Sequence, residues 1–177
     1  MNKLLSSLAR CCCLAALPYT ALAADSLVAD LEQRLARGGV ESVNEVLTEP
    51  TAGAAMMVRL HRQTAACDLQ AVSLTVRLAR GANASAVPAH EEALRGATGR
   101  CARFVLALVS AAELPKVCAS QAAWGAAQTA RELRRRMAAI DADKLLRATV
   151  QGQACRAAYL FELENTRVTL RVATPPR

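Results

Sequence analysis

Large aromatic side chains are scarce in this chain of 177 residues. Phenylalanine, tryptophan and tyrosine together make up 3% of the sequence, although hydrophobic residues as a whole make up 53%. Much of that hydrophobic content is alanine, which favours helix but buries little apolar area per residue. We therefore expect a thin helical core that gains stability from covalent cross-links.

Motifs for catalysis and cofactor binding are also missing. No serine lies in a glycine-flanked nucleophile elbow, and Gly96-Ala97-Thr98-Gly99 is too short for a phosphate-binding loop. His61 and His90 have no donor partners at metal-binding spacing, and we interpret them as solvated residues on helix surfaces. No two cysteines form a C-x-x-C pair, which disfavours a zinc site. We predict no metal, no cofactor and no catalytic residue.

No apolar run is long enough to cross a bilayer, which takes ~20 residues. Near the start, Lys3 and Arg10 flank a short apolar centre over residues 11–17, and Ala21-Leu22-Ala23 has the small-x-small form that signal peptidase accepts. We predict a signal peptide over residues 1–23 and a single helical domain over residues 24–177. Cleavage removes Lys3 and Arg10 and no acid, so the formal net charge falls from +7 to +5. A retained anchor and a lipoprotein are the less favoured alternatives.

Four cysteines remain after cleavage: Cys67, Cys101, Cys118 and Cys155. An even number in an exported chain indicates two disulfides, for which three pairings exist. Cys67 and Cys101 lie equally far from the turn-like residues 81–85, and equidistant residues come side by side in an antiparallel helical hairpin. This symmetry favours Cys67–Cys101 and leaves Cys118–Cys155. Each bridge would close a loop of about 35 residues, worth up to ~3–4 kcal/mol in the chain-entropy model.

Hydrophobic spacing predicts an all-α fold, a disulfide-stapled bundle of five to seven helices. The C-terminal residues 166–173 alternate as a strand does, so a short strand, an extended tail and a continued helix stay open there. The helices are expected near residues 25–37, 40–47, 51–80, 86–114, 117–139, 142–147 and 155–164.

The strongest local feature is the sequence R-E-L-R-R-R over residues 131–136. With Leu133 and Met137 in the core, its arginines are expected to spread over the outer side of a helix, with Glu132 pairing with Arg136. The plain interpretation is a solvated surface, and the functional one is a docking patch for an anionic partner. Trp124 is either the edge of a core or a binding anchor. The partner-binding candidates are Arg131, Arg134, Arg135 and Trp124.

These features together predict a bacterial protein of the periplasm or one that is secreted. We expect a non-catalytic interaction protein that binds a protein partner in the cell envelope, as an inhibitor, immunity protein, chaperone or accessory factor of a secretion system does. The partner would be acidic, and no nucleic acid is expected because the aromatic residues are not interleaved with arginines. The alternative is a small secreted helical enzyme that binds an anionic substrate with arginines. An inward-facing arginine cluster with a carboxylate or glutamine in a closed pocket would favour it, whereas arginines all on the outside would favour binding.

Overall fold

The protein is described by a computed structural model, covering the backbone of residues 19–173 and the side chains of residues 27–168. Within these residues the chain forms eight helices and no strand, which confirms the disulfide-stapled all-α fold. Residues 1–18, most of the predicted signal peptide, lie outside the described part. The helices are α1 (Tyr19–Thr48), α2 (Ala52–Ala65), α3 (Leu69–Leu78), α4 (Ala86–Leu108), α5 (Leu114–Val117), α6 (Ala126–Ala142), α7 (Lys144–Arg147) and α8 (Val150–Ala173).

Two hydrophobic clusters form the core, and α3 belongs to both. Leu74 and Leu78 of α3 pack with α1 and α2, while Val72 and Val76 pack with α4, α5, α6 and α8. The short helix therefore buries two opposite sides, as its nearly continuous apolar sequence allows. It joins the N-terminal helices to the C-terminal ones.

A glycine divides α1 where the sequence predicts a break. Gly39 has φ 75° and ψ −179°, outside the helical region, so the helix before it and the helix after it point differently. A side chain at this φ would be strained, which glycine avoids.

The long third helix predicted from residue 51 onwards is instead two helices, which is a correction. The chain turns at Cys67, whose φ is 64°, and Asp68 starts α3 by accepting a hydrogen bond from the backbone N–H of Ala71 at 2.8 Å. Aspartate is a strong N-cap, and here it restarts the helix. The buried side of the predicted helix continues across this turn, because Leu60 of α2 and Leu74 of α3 are both fully buried.

The fourth helix is predicted correctly in position but not in shape. Gly96 and Gly99 lie in regular helix, and α4 departs from helical geometry at Cys101, where φ is −133° and ψ is 49°. Cys101 is bonded to Cys67 across the α3–α4 hairpin, so this disulfide joins two irregular points of the backbone. The second disulfide joins Cys118, at the end of α5, to Cys155 of α8.

The C-terminal half departs most from the sequence prediction. Residues 118–125 are not helical, so the helix predicted from residue 117 begins only at Ala126. The helix predicted over residues 142–147 is the shorter α7, which Asp143 caps by accepting from the backbone N–H groups of Leu145 and Leu146. The α8 helix runs through Gly152 and on to Ala173, so the predicted break is wrong and the continued helix is the observed alternative for residues 166–173.

Candidate functional site

The predicted arginine patch on α6 is split between the surface and the interior. Arg131, Arg134 and Arg135 are exposed, and Arg135 pairs with Glu132 at 2.7 Å. Arg136 is 4% exposed, so the predicted Glu132–Arg136 pair is wrong.

The inward position of Arg136 follows from helix geometry. Thr129, Leu133, Arg136 and Ile140 are spaced by four, three and four residues, and all four are buried. This is the spacing of one helix face, so the signal was present in the sequence. It was overlooked because arginine is rarely buried.

The guanidinium of Arg136 has few polar partners for a buried charge. Its Nη1 donates to the carbonyl of Ala119 at 3.3 Å, its Nε has no hydrogen-bond partner, and no carboxylate within residues 27–168 forms an ion pair with it. Its carbon Cζ lies 4.8 Å from the ring centroid of Trp124 and 5.8 Å from that of Tyr159. Two cation–π contacts in a desolvated place therefore replace the missing carboxylate, each worth up to about 2 kcal/mol.

Trp124 accordingly lies at the edge of the core, against Arg136. The ring is half-buried in the segment before α6, and one of its faces is covered by Arg136. This agrees with the edge-of-core interpretation, and a role as a binding anchor stays a prediction. Of the four candidates, three have exposed side chains that a partner could contact: Arg131, Arg134 and Arg135.

Tyr159 is the second buried polar group beside this arginine. It is 1% exposed, and no acceptor among residues 27–168 lies within hydrogen-bond distance of its hydroxyl. Burial raises the pKa of Tyr159, and the nearby Arg136 opposes that rise only in part. The disulfide holds Cys155 in the core, and Tyr159 follows it by one helical turn on the same buried side of α8.

Both groups border a cavity of about 480 Å³ between α4, α6 and α8. Volumes of this size are typical of small-molecule sites. Its mouth carries two exposed arginines, Arg100 and Arg103. The remaining wall is mainly apolar, formed by Cys101, Ala102, Phe104, Ala107, Ile140 and Leu146.

One carboxylate, Asp143, also lines the cavity, and it is already engaged. Arg103 donates to it twice, at 3.0 and 2.7 Å. These hydrogen bonds from Arg103 lower the pKa of Asp143, which keeps it ionised near neutral pH. The cavity therefore offers its cationic and hydroxyl groups to a ligand rather than this acid.

The histidines form a separate buried chain, contrary to the prediction that both are solvated. His61 Nε2 lies 2.8 Å from His90 Nδ1, and His90 Nε2 lies 3.1 Å from the side-chain oxygen of Asn44. Burial lowers the pKa of both histidines to about 4, His90 also feeling the charge of His61. Both are neutral at pH 7, and the chain of bonds ties α1, α2 and α4 together.

The fold and the cavity define a disulfide-stapled helical protein with a buried arginine at a cavity between α4, α6 and α8. Over the described residues, no group of three or more metal-binding side chains comes together. No helix in that part of the chain has the length and hydrophobicity to cross a membrane. Comparison with protein-family models, curated proteins and solved structures finds no match to this chain.

Proposed function

We propose that the protein is an exported, non-catalytic binding protein of the bacterial cell envelope. Two disulfides fit a secreted or extracellular protein, because such bonds form and persist in oxidising compartments. The proposed partner is a protein with an acidic, partly apolar surface. It would bind the outer side of the hairpin formed by α6 and α8, here called the α6–α8 face and defined by Arg131, Arg134 and Phe161.

The observation that carries this proposal is an exposed apolar stripe on α8. Phe161 is 71% exposed, which is unusual in a chain that has so few aromatic residues. The exposed stripe has the spacing of four, three, four and seven residues that a partner helix recognises. Its members are Val150, Ala154, Ala157, Phe161 and Val168.

The arginines of α6 lie at the same height along the hairpin. Asp141 of α6 pairs with Arg156 of α8 at 2.7 Å, and Arg136 contacts Tyr159, so the two helices run antiparallel. This register sets Arg134 level with Phe161.

Charge complementarity indicates an acidic partner. Arg131 and Arg134 are exposed, and neither forms an ion pair within residues 27–168. An exposed aromatic residue at the level of unpaired arginines has the composition of an interface hot spot. The proposed partner would therefore combine an apolar groove for Phe161 with carboxylates around it.

Capture from an envelope extract with matched variants tests the proposal. The oxidised mature chain should retain an envelope protein, and both Arg131→Glu/Arg134→Glu and Phe161→Ser should lose it. The matched control is Arg34→Glu/Arg37→Glu on α1, which reverses two exposed arginines at the same spacing of three. If that control loses the partner to the same extent, the loss comes from the change in net charge and not from the α6–α8 face. Full retention by both α6–α8 variants would contradict the proposal.

The inward-facing Arg136 favours the alternative, a small secreted enzyme acting on an anionic substrate. Such an enzyme needs a group that exchanges protons near neutral pH. Of the groups at the cavity, Asp143 is held ionised by Arg103 and Tyr159 is held protonated by burial. Both pKa shifts lead away from neutral pH, so the cavity supports binding better than proton transfer.

A further inference from the structure

Two buried hydrogen-bond donors at the cavity lack partners. They are the Nε–H group of Arg136 and the hydroxyl of Tyr159, on side chains that are 4% and 1% exposed. A buried donor without an acceptor is costly, and most such groups in folded proteins are satisfied. Each of these two side chains lines the cavity. An acceptor that enters the cavity would satisfy both donors.

We propose that this cavity binds the carboxylate of a small organic acid, with Arg136 and Tyr159 as its hydrogen-bond donors. A guanidinium has only donors to offer, and its charge has no counter-ion within residues 27–168. A carboxylate supplies both the negative charge and two acceptor oxygens. The site lies on the inner side of α6 and is separate from the α6–α8 face.

The shape and walls of the cavity select a carboxylate over phosphate. Phosphate carries three or more acceptor oxygens and no apolar part, so it would place polar atoms against the apolar part of the wall. Apolar side chains, including Phe104, Ile140 and Leu146, form much of the remaining surface. They would enclose the hydrocarbon body of a ring-bearing or branched acid.

Two further residues of the cavity favour the binding of an anion, Arg100 by its charge and Gly99 by its lack of a side chain. Arg100 at the mouth raises the local concentration of anions by electrostatic attraction, whereas the charge of Arg103 is offset by its ion pair with Asp143. Gly99 of α4 also lines the cavity. A Cβ atom at Gly99 would lie 2.9–3.1 Å from three atoms of Arg136, so the absence of a side chain lets the backbone of α4 approach the guanidinium. A glycine at this position therefore leaves the arginine room to stay at the cavity, and Gly99 is a positioning residue.

Titration with benzoate tests the proposal directly. Trp124 is the only tryptophan of the chain and lies under Arg136, so its fluorescence reports on the guanidinium, with calorimetry as the second readout. We expect saturable binding of benzoate by the oxidised mature chain, and binding of benzamide and phosphate at least about tenfold weaker. No benzoate binding up to about 10 mM, or tighter binding of phosphate, overturns the carboxylate proposal.

Matched variants locate the binding. Tyr159→Phe keeps the ring beside Arg136 and removes one donor, so benzoate affinity should fall about tenfold while the fold persists. Arg136→Gln should abolish binding, and Arg135→Gln, one residue away and exposed, should leave it unchanged. If Arg136→Gln fails to fold, Tyr159→Phe decides. Unchanged benzoate affinity in Tyr159→Phe, or an equal loss in Arg135→Gln, overturns the site. Partner capture by the α6–α8 face is measured separately, so either result can fail alone.

Discussion

The Nε2 atom of His61 lies 2.8 Å from the Nδ1 atom of His90, although the two residues belong to different helices. The surrounding bonds fix which nitrogen carries the proton. Asn44 donates from Nδ2 to the Leu78 carbonyl at 3.1 Å, so its oxygen accepts from His90 Nε2. His90 Nδ1 is then the acceptor, and His61 must donate to it. A proton added to His90 Nδ1 would break this bond.

The histidine pair predicts a loss of stability in mild acid. The folded pKa of each histidine is about 4, below the ordinary value of 6.5, so the unfolded chain binds more protons between these pH values. The free energy of unfolding should be full above pH 6.5 and fall on the order of 2–4 kcal/mol by about pH 4.

The variant His61→Gln isolates this effect. Glutamine still donates to His90 Nδ1 but cannot be protonated, so urea unfolding across the same pH range should show about half the wild-type decline. Glu113 does not confuse the measurement, because its hydrogen bond from Arg80 lowers its pKa to about 2 and its contribution is lost only below pH 4.5. An unchanged decline in His61→Gln would contradict the assignment.

Two asparagines separate buried from exposed hydrogen bonding. Asn44→Ala should lower the free energy of unfolding by about 2–3 kcal/mol, because it removes one of the two hydrogen bonds to the Leu78 carbonyl and leaves the Nε2–H group of His90 without an acceptor in the interior. Asn83→Ala removes side-chain bonds to the N–H groups of Ser85 and Ala86 at the start of α4, and should cost only about 1 kcal/mol. Denaturant titration compares them, and equal losses would contradict the buried network.

The two disulfides should open in a fixed order under a mild reductant. Cys118 and Cys155 are fully buried, whereas Cys67 and Cys101 are half-buried. Thiolate attack should therefore reach the Cys67–Cys101 bridge first. Timed alkylation and peptide mass spectrometry identify the free thiols. Each bridge spans 34 or 37 residues, so opening one should cost about 3–4 kcal/mol in the chain-entropy model. Early labelling of Cys155 would contradict the prediction.

Glycine substitutions test the close helix approaches. A Cβ at Gly53 would collide with the Val46 carbonyl oxygen, and one at Gly152 with that of Leu146, so alanine at either position should lower the free energy of unfolding by about 1–3 kcal/mol. Gly125 has nothing within 4 Å of its Cβ position, so Gly125→Ala is the control and should change stability by less than about 0.5 kcal/mol. Thermal unfolding followed by circular dichroism measures all three.

The sequence anticipated features that depend on spacing along the chain. The Cys67–Cys101 bridge of the structure follows from equal distances to a turn, and this relation holds even though the third helix breaks at Cys67. The break itself was missed because Asp68 stands among residues that favour helix, and only its cap bond to Ala71 shows that a new helix starts there.

Features that depend on distant partners could not be read in advance. The buried His90 has its hydrogen-bond partner in Asn44, 46 residues earlier, and no local sequence pattern indicates that contact. Arg136 was misjudged although its spacing from Leu133 and Ile140 pointed inward, because its chemical type outweighed the pattern. The ring of Trp124 that covers it lies in a non-helical segment whose course the sequence did not predict.

Cys101 has two roles, since it is half of a disulfide and also a wall of the cavity. A newly made chain whose thiols are still free would lack the bridge that ties the bend of α4 to the turn between α2 and α3. We therefore expect oxidation to act as a maturation step, after which the cavity first takes its final shape. If the cavity binds a carboxylate as proposed, the reduced chain should bind benzoate more weakly than the oxidised chain.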